Sequence, residues 1–443
     1  MRISTSQIYD AGSLNIQRNQ ASLFKIQNQL STGRRVLTPE DDPVAAAQAL
    51  LVTQAKEMNT QQTTNQGNAE SQLGLVDSQL SSLVDLIQNV RDRVIQAGNS
   101  TLSASDRQSI ATELEARFGE LLGIANAQNG SGDYLFSGYQ GATKPFAINA
   151  SLSVVPPATT APVGYYGDDG ERLLQVSSSR VMPVNVAGSD VFMNAKQGNG
   201  TFVVQTSGNG GGINQGAATA DSGAVLDMQK WQSAVNSYGW SDPTNPAIEV
   251  RFSINAGVTN YQLFDVSGTT AIPIAAATPY TSGQAIPIVT PAPPATPTTD
   301  FGAQFVVQGA PANGDTFSVT PSTNQSLFQT MQSLIGILKS PVGSASYTTS
   351  QYTNDLGRQL ANLDQAMDTV GQVQATVGTR LRELESLGET ASDLNLQYQT
   401  TLSDLQDLDY AEAISNFAMQ LTYLEAAQKS FAQISGLSLF NYL

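Results

Sequence analysis

The chain has no cysteine and no histidine among its 443 residues. That absence excludes disulfides, thiolate and imidazole metal sites, cysteine nucleophiles and any Ser-His-Asp arrangement. No eighteen apolar residues run together, so there is no candidate for a membrane-spanning helix. The opening MRISTSQIYDAGSLNIQRNQASLFKIQNQL also lacks the continuous apolar stretch of a cleaved signal peptide. The expectation is a cytoplasmic chain, or one exported by a route that needs no such signal. Basic residues are scarce, 21 against 37 acidic for a net charge of −16. This disfavours nucleic acid and anionic membrane as partners and favours solubility.

Proline is nearly missing from both ends: sixteen of nineteen fall between Pro145 and Pro321. Helices are expected in the flanks. In the centre, β-prone runs such as RLLQVSSSRVMPVNV, AIEVRFSINAGV and DTFSVTP alternate with Gly, Asn, Pro and Thr clusters, and IPIVTPAPPATPTTD reads as a linker or exposed loop. The centre is therefore a β-rich insert.

In the amino-terminal flank, Ala69, Leu73, Val76, Leu80, Leu83, Ile87, Val90 and Val94 recur at alternating steps of four and three, the pattern of a coiled-coil seam. Asp42 before Pro43 is a candidate helix N-cap, and Ser103 with Asp106 three places on is a candidate capping pair for a helix over about 104–128. The carboxyl flank repeats the seam with Leu356, Leu360, Leu363, Met367, Val370, Val377, Leu381 and Leu384, weakened at Gln374 and Gly388. DLQDLDYAE breaks the register. A new stripe then runs through Tyr410, Ile414, Phe417, Leu421, Leu424 and Phe431.

Seams at both ends with one insert between them predict a mainly α fold. Both chain ends form a long antiparallel helical bundle or coiled coil, which carries a central β-rich domain. Charge favours the pairing of the ends: residues 1–38 hold five basic side chains against Asp10, while residues 400–443 hold five acidic side chains against Lys429. Each such exposed charge is worth under about 1 kcal/mol.

Acidic clusters at Asp41 and Asp42, at Asp168 and Asp169, and at Asp404, Asp407, Asp409 and Glu412 are candidate chemistry. The first sits where a helix starts, GDDG is a turn composition, and the third lacks calcium-loop spacing and reads as a solvated helix side. NGSGDYLFSGYQGATKPF has no Lys-Ser/Thr pair and opens no helix, so it reads as a helix stop and turn rather than a phosphate loop. No catalytic residue, cofactor site or metal site is assigned. The last residues, SGLSLFNYL, pose a different question. Burying Leu437, Leu439, Phe440, Tyr442 and Leu443 would be worth roughly 8 to 12 kcal/mol, and a terminal segment has few neighbours of its own to bury them.

These stretches resemble the flagellin superfamily and, within it, the junction subunits of the flagellum. LSTGRRVLTPEDDPVAAAQAL is similar to the family's amino-terminal motif. LSASDRQSIATELEARFGELLGIANAQNGSGDYLFSGYQGATKPF and DLDYAEAISNFAMQLTYLEAAQKSFAQISGLSLFNYL resemble junction subunits rather than filament flagellin. YYGDDGERLLQV and NVAGSDVF resemble the start of the family's β-domain, while residues from about 198 to 320 exceed the family pattern.

The resemblance implies a structural subunit without enzymatic activity, forming a homo-oligomeric ring that joins another hook-associated protein on the hook side to flagellin on the filament side. It implies secretion by the flagellar type III apparatus to the extracellular flagellum, an export chaperone at the carboxyl-terminal region, and terminal segments that order on assembly. The expected division is 1–45 with 405–443 as terminal assembly segments, 46–144 with 322–404 as a helical bundle, and 145–321 as an outer insert divisible near 198. Assembly is expected to rest on Ile16, Leu23, Ile26 and Leu30 with Tyr410, Ile414, Phe417, Leu421, Leu424, Phe431, Leu439, Phe440 and Leu443.

Three rival readings compete with this one. The first is a filament flagellin or sheath-like variant. The second is a surface adhesin whose insert binds glycan or host protein, with Trp231, Tyr238 and Trp240 able either to stack on sugar or to pack a core. The third is an enzyme in the insert, for which nothing fixes the separation of a carboxylate pair.

Overall fold

A computed structural model describes residues 5–99, 101–149, 162–208, 213–238, 248–266, 270–289 and 300–436. The helices are α1 (Thr5–Thr32), α2 (Pro43–Ala97), α3 (Ala104–Ala125), α4 (Gly188–Phe192), α5 (Met228–Tyr238), α6 (Leu327–Lys339), α7 (Thr349–Gln406) and α8 (Tyr410–Gly436). Between α3 and α6 run β1 (Phe146–Ile148), β2 (Val163–Tyr165), β3 (Leu173–Gln175), β4 (Val181–Pro183), β5 (Ala195–Lys196), β6 (Phe202–Thr206), β7 (Thr219–Ala220) and β8 (Ala224–Val225). They are followed by β9 (Ile248–Asn255), β10 (Val258–Asp265), β11 (Ile272–Pro273), β12 (Thr278–Pro279), β13 (Ala285–Val289), β14 (Asp300–Gln308), β15 (Thr316–Pro321) and β16 (Asn324–Gln325). Terminal helices thus flank a β-rich centre. Two compact units divide the chain: residues 1–67, 175–180 and 384–443 form one, and residues 68–174 with 181–383 form the other.

In the second unit the α2 seam is a core stripe. Ala69, Leu73, Val76, Leu80, Leu83, Ile87, Val90 and Val94 are all buried, as are Leu356, Leu363, Val370 and Val377 of α7. Polar side chains fix the register: the Tyr352 hydroxyl donates to Ala97 O at 2.8 Å, Arg91 pairs with Asp364 at 2.8 Å, and the Gln374 amide donates to Asp77 and Ser81 at 3.3 and 2.9 Å. One partner number falls as the other rises, which makes the two helices antiparallel.

Helix α3 opens on a capping box. The Ser103 hydroxyl accepts the Asp106 amide, and the Asp106 carboxylate accepts the Ser103 amide at 3.0 Å. Its apolar residues Ile110, Leu114, Leu121 and Ile124 are buried, and α3 packs on α6 with Phe118 edge-on to Phe328 at 6.0 Å. At its far end Asn126 pairs with both backbone groups of Phe146 at 3.0 Å and so ties the helix exit to β1. Phe146, Phe192 and Phe328 form one aromatic cluster with Phe136 against Phe192. Leu135 and Phe136, both buried, therefore anchor the exit of α3 in this core.

Among the described residues, two larger antiparallel sheets stand beside the two-stranded pairs β1-β2, β3-β4 and β5-β16. One has the order β11-β10-β9-β15-β6 with β12 also on β10, and the other has β13-β14-β7 with β8 also on β14. Strand β9 alternates because Ile248, Val250 and Phe252 face the core with Phe317, Ile286 and Phe305. Trp231 of α5 is buried there, 5.2 Å from Phe202 and 5.6 Å from Phe301, so it is core and unavailable to a ligand. The side chain of Tyr238 and all of Trp240 lie outside the described residues.

The insert is fastened to α7 by polar contacts. Asn354 accepts the Ala220 amide at 2.8 Å and donates to Ala218 O at 3.1 Å, and Asn362 accepts the Gly198 amide at 2.7 Å.

Candidate assembly surface

The first unit is built on different terms. Helix α1 packs along α8, and backbone bonds join the segment that leaves α1 to the one that enters α8. The Arg35 amide donates to Gln406 O at 2.7 Å and the Leu408 amide to Gly33 O at 3.0 Å, an antiparallel bridge between residues 34 and 407. Gly33 sits at φ +69°, where α1 stops, and a Cβ there would come within 2.7 Å of the Tyr410 hydroxyl oxygen. Near the other end of the pair, Tyr9 meets Phe431 edge-on at 5.6 Å. Gly12 lets that ring lie against α1, because a Cβ would stand 2.6 Å from it.

Charged groups hold the turn between α1 and α2. Lys25 pairs with Asp41 at 2.6 Å, and the other Asp41 oxygen accepts the Leu37 and Thr38 amides at 3.0 Å. The Lys25 hydrogen bond foremost, then the Thr38 and Leu37 amides, hold the Asp41 carboxyl down at about 2. Asp42 accepts the Ala45 amide at 3.0 Å at the start of α2, and this bond, with Arg35 at 3.3 Å, lowers its carboxyl. Arg35 also donates to Leu405 O at 2.9 Å, so one side chain touches both ends of the chain.

Asp409 accepts the amides of Ala411 and Glu412 at 2.9 and 3.2 Å and caps α8, a local role that the reading of this cluster as a solvated helix side did not include. Asp168 accepts the Tyr139 and Gly170 amides at 2.8 and 2.9 Å, which lower its carboxyl and shape its loop. Among the described residues no acidic group is arranged to hold a metal, and no helix is long and apolar enough to cross a membrane.

The site residues divide into three groups. Ile16, Leu23, Ile26 and Leu30 on α1 and Phe417, Leu424 and Phe431 on α8 are half-buried on the two packed helices. Tyr410, Ile414 and Leu421 are exposed, the last two at 55% and 42%. Leu439, Phe440 and Leu443 lie outside the described residues. The spacing of α8 explains the first two groups. Buried Ala413 joins Phe417, Leu424 and Phe431 at steps of four and seven, a narrow seam of the coiled-coil kind, while Ile414 and Leu421 lie on its flank.

Sequence reasoning followed a single stripe and passed over apolar residues elsewhere on these helices. Leu14 and Phe24 of α1, Met419 and Tyr423 of α8, Val44, Leu50, Leu51 and Met58 of α2, and Leu394 and Leu396 of α7 are all exposed. Among the described residues, the buried apolar side chains of the unit are only Ala45, Ala49, Val176, Leu384, Ala391 and Ala413. Alanine offers little area, so this unit has almost no core while leaving Leu50 at 71% and Phe24 at 68% exposed. The signal was present in the sequence: leucine, phenylalanine and methionine occupy more than one face of each helix.

Comparison with known proteins adds a family. The bacterial flagellin N-terminal helical region matches residues 3–141, and the bacterial flagellin C-terminal helical region matches residues 360–443, together just over half of the chain. Flagellar hook-associated protein 3 of Salmonella typhimurium is 36% identical over 192 residues, and that of Escherichia coli 35% identical over 192. Each match takes in 43% of this chain and 57% of the relative, so the chain spans little more than half the length of these relatives. The crystal structure of the flagellar junction protein FlgL from Legionella pneumophila superposes with a TM-score of 0.66 at 29% identity, over 81% of this chain and 100% of that one. FlgL of Xanthomonas campestris superposes with a TM-score of 0.63 at 22% identity, over 80% of this chain and 99% of that one, a likeness of fold. With a flagellin helical region at each end and a β-rich insert between them, the chain belongs to the flagellin superfamily.

Proposed function

We propose that this chain is a structural subunit of the bacterial flagellum. Copies of it form the ring that connects the hook side, through another hook-associated protein, to the flagellin filament. The observation that carries the reading is the nearly coreless first unit. Side chains such as Leu50, Leu51, Ile414 and Leu421 remain in water in the single chain and are completed by neighbouring subunits. Similarity to proteins named as hook-associated protein 3 and as a flagellar junction protein supplies the place of that assembly. No reaction is part of this function. The subunit leaves the cell through the flagellar type III route, with a chaperone on its carboxyl-terminal region before export.

The test is complementation of a bacterium lacking its own junction subunit. The full chain restores filaments attached to hooks. A chain cut after Gln433 keeps the second unit folded yet leaves hooks bare, with flagellin shed into the medium. Normal filaments from the cut chain would refute the proposal, and long filaments grown from this protein alone would move it to the flagellin reading.

A further inference from the structure

The chain holds four Asn-Gly steps, at residues 129–130, 199–200, 209–210 and 313–314. Such a step can react within itself, because a glycine without a Cβ lets its own amide nitrogen approach the side-chain carbonyl carbon of the asparagine before it. The glycine amide is the nucleophile, so what that N–H does in the folded chain governs the rate. Asn209 and Gly210 lie outside the described residues. At two of the other three steps the nucleophile is held: the Gly200 amide donates to Gln197 O at 3.0 Å, and the Gly314 amide donates to Phe252 O at 2.9 Å. Asn199 Nδ2, the nitrogen that would leave, is also shielded from solvent. Asn313 is tied to the same strand by its side chain, whose Oδ1 accepts the Ile254 amide at 3.0 Å.

At Asn129 the nucleophile is free. Among the described residues the Gly130 amide has no acceptor in the chain, Gly130 is exposed, and a Cβ there would meet nothing within 4 Å. The Asn129 Oδ1 accepts the Ser131 and Asp133 amides at 3.0 and 2.9 Å. Two N–H donors on that oxygen draw electrons from Cγ and meet the negative charge that develops there when a nucleophile adds. Asn199 Oδ1 has the same support from the Thr201 and Phe202 amides at 3.0 and 2.8 Å, so the free glycine amide and the access of water are what separate the two sites.

We propose that Asn129 is a site of self-modification, converting to isoaspartate in the folded chain ahead of Asn199 and Asn313. The Gly130 nitrogen gives up its proton and bonds to Asn129 Cγ, the Cγ–Nδ2 bond breaks, and Nδ2 leaves as ammonia with that proton. Water then opens the five-membered imide. Attack at the main-chain carbonyl leaves Gly130 joined through the side chain, which is isoaspartate, and attack at Cγ leaves aspartate. Both products exchange a neutral amide for a carboxylate, and isoaspartate lengthens the main chain by one methylene. The turn closed by the Asn129 amide on Asp133 O at 2.8 Å stands between α3 and the buried Leu135 and Phe136, so the added methylene loosens the anchor of that helix exit.

The test incubates the full chain at mildly alkaline pH, folded in one series and unfolded in concentrated urea in another. Peptide mapping by mass spectrometry reads each Asn-Gly step separately, and chromatography resolves isoaspartate from aspartate. In the folded chain Asn129 is expected to convert about three- to tenfold faster than Asn199 or Asn313, the factor that one net amide hydrogen bond supplies. The rate should rise with pH, as attack by a deprotonated amide requires, and isoaspartate should exceed aspartate. In urea the three rates converge. Gly130→Ala, shown to be folded by thermal melts, slows conversion at Asn129 alone, because its methyl obstructs the approach of the nitrogen. Conversion at Asn129 no faster than at the other two in the folded chain, a rate order that survives in urea, or an unchanged rate in Gly130→Ala would overturn the assignment.

Discussion

Replacing Ile414 and Leu421 of α8 together by serine separates a subunit that is complete alone from one completed by neighbours. Both lie on an exposed flank of α8, at 55% and 42% exposure. Full burial of such a side chain is worth about 1.5–3 kcal/mol, so the part still in water amounts to roughly 1 kcal/mol for each residue. The pair therefore withholds roughly 2 kcal/mol per subunit contact, about a thirtyfold loss in association repeated at every junction of a ring.

The isolated chain already buries the other half of each side chain and is expected to lose about 2 kcal/mol at most across the two sites. The assay pairs chemical denaturation of the purified subunit with electron microscopy of hooks in the complemented strain. The expected result is a folded, exported subunit and hooks without filaments. A monomer destabilised by about 5 kcal/mol or more would mean that these side chains are core, and wild-type filaments would mean that no neighbour touches them.

Three further outcomes follow from particular residues. Leu83→Ala in the buried α2 seam should cost about 2–5 kcal/mol in denaturant unfolding, because a fully buried leucine leaves a cavity on truncation. Ala256 turns the β9–β10 hairpin at φ +52°, followed by Gly257 at +82°, a turn that favours Asn-Gly. Ala256→Asn should therefore raise the thermal stability of the insert, by about 1 kcal/mol. Asp41 is held at about 2 in the folded chain, below its unfolded value, so its contribution is present above the unfolded value of about 4 and is lost as pH falls from there through about 2. Amide exchange at residues 34–42 should rise across that window, and Asp41→Asn should abolish the step.

The α2 seam was legible because its eight positions keep one heptad phase and face a single core, so periodicity and burial coincide. The capping pair at Ser103 was legible for a similar reason, since it is complete within four residues. On α8 the same reasoning ran two surfaces together. The seam through Ala413, Phe417, Leu424 and Phe431 and the flank through Ile414 and Leu421 share a spacing, and only the packing of α1 distinguishes them.

The insert itself was legible as β-rich, but its sheet order and anchoring were hidden for another reason. Its strands are short, its sheet order pairs residues as distant as Phe202 and Pro321, and it is anchored through asparagines on α7 whose partners lie more than a hundred residues away. No local pattern encodes such contacts. Trp231 shows the consequence: composition left it open to a ligand, and two phenylalanines brought in by the sheet make it core.

Residue-resolved amide hydrogen exchange of α1, α8 and the first turns of α2, in the free subunit and again in the attached ring, bears most directly on the central claim. The account predicts weak protection of these helices in the free chain, strong protection in the ring, and little change in the α2 seam from Ala69 to Val94. Equal, strong protection of α1 and α8 in both states would contradict it.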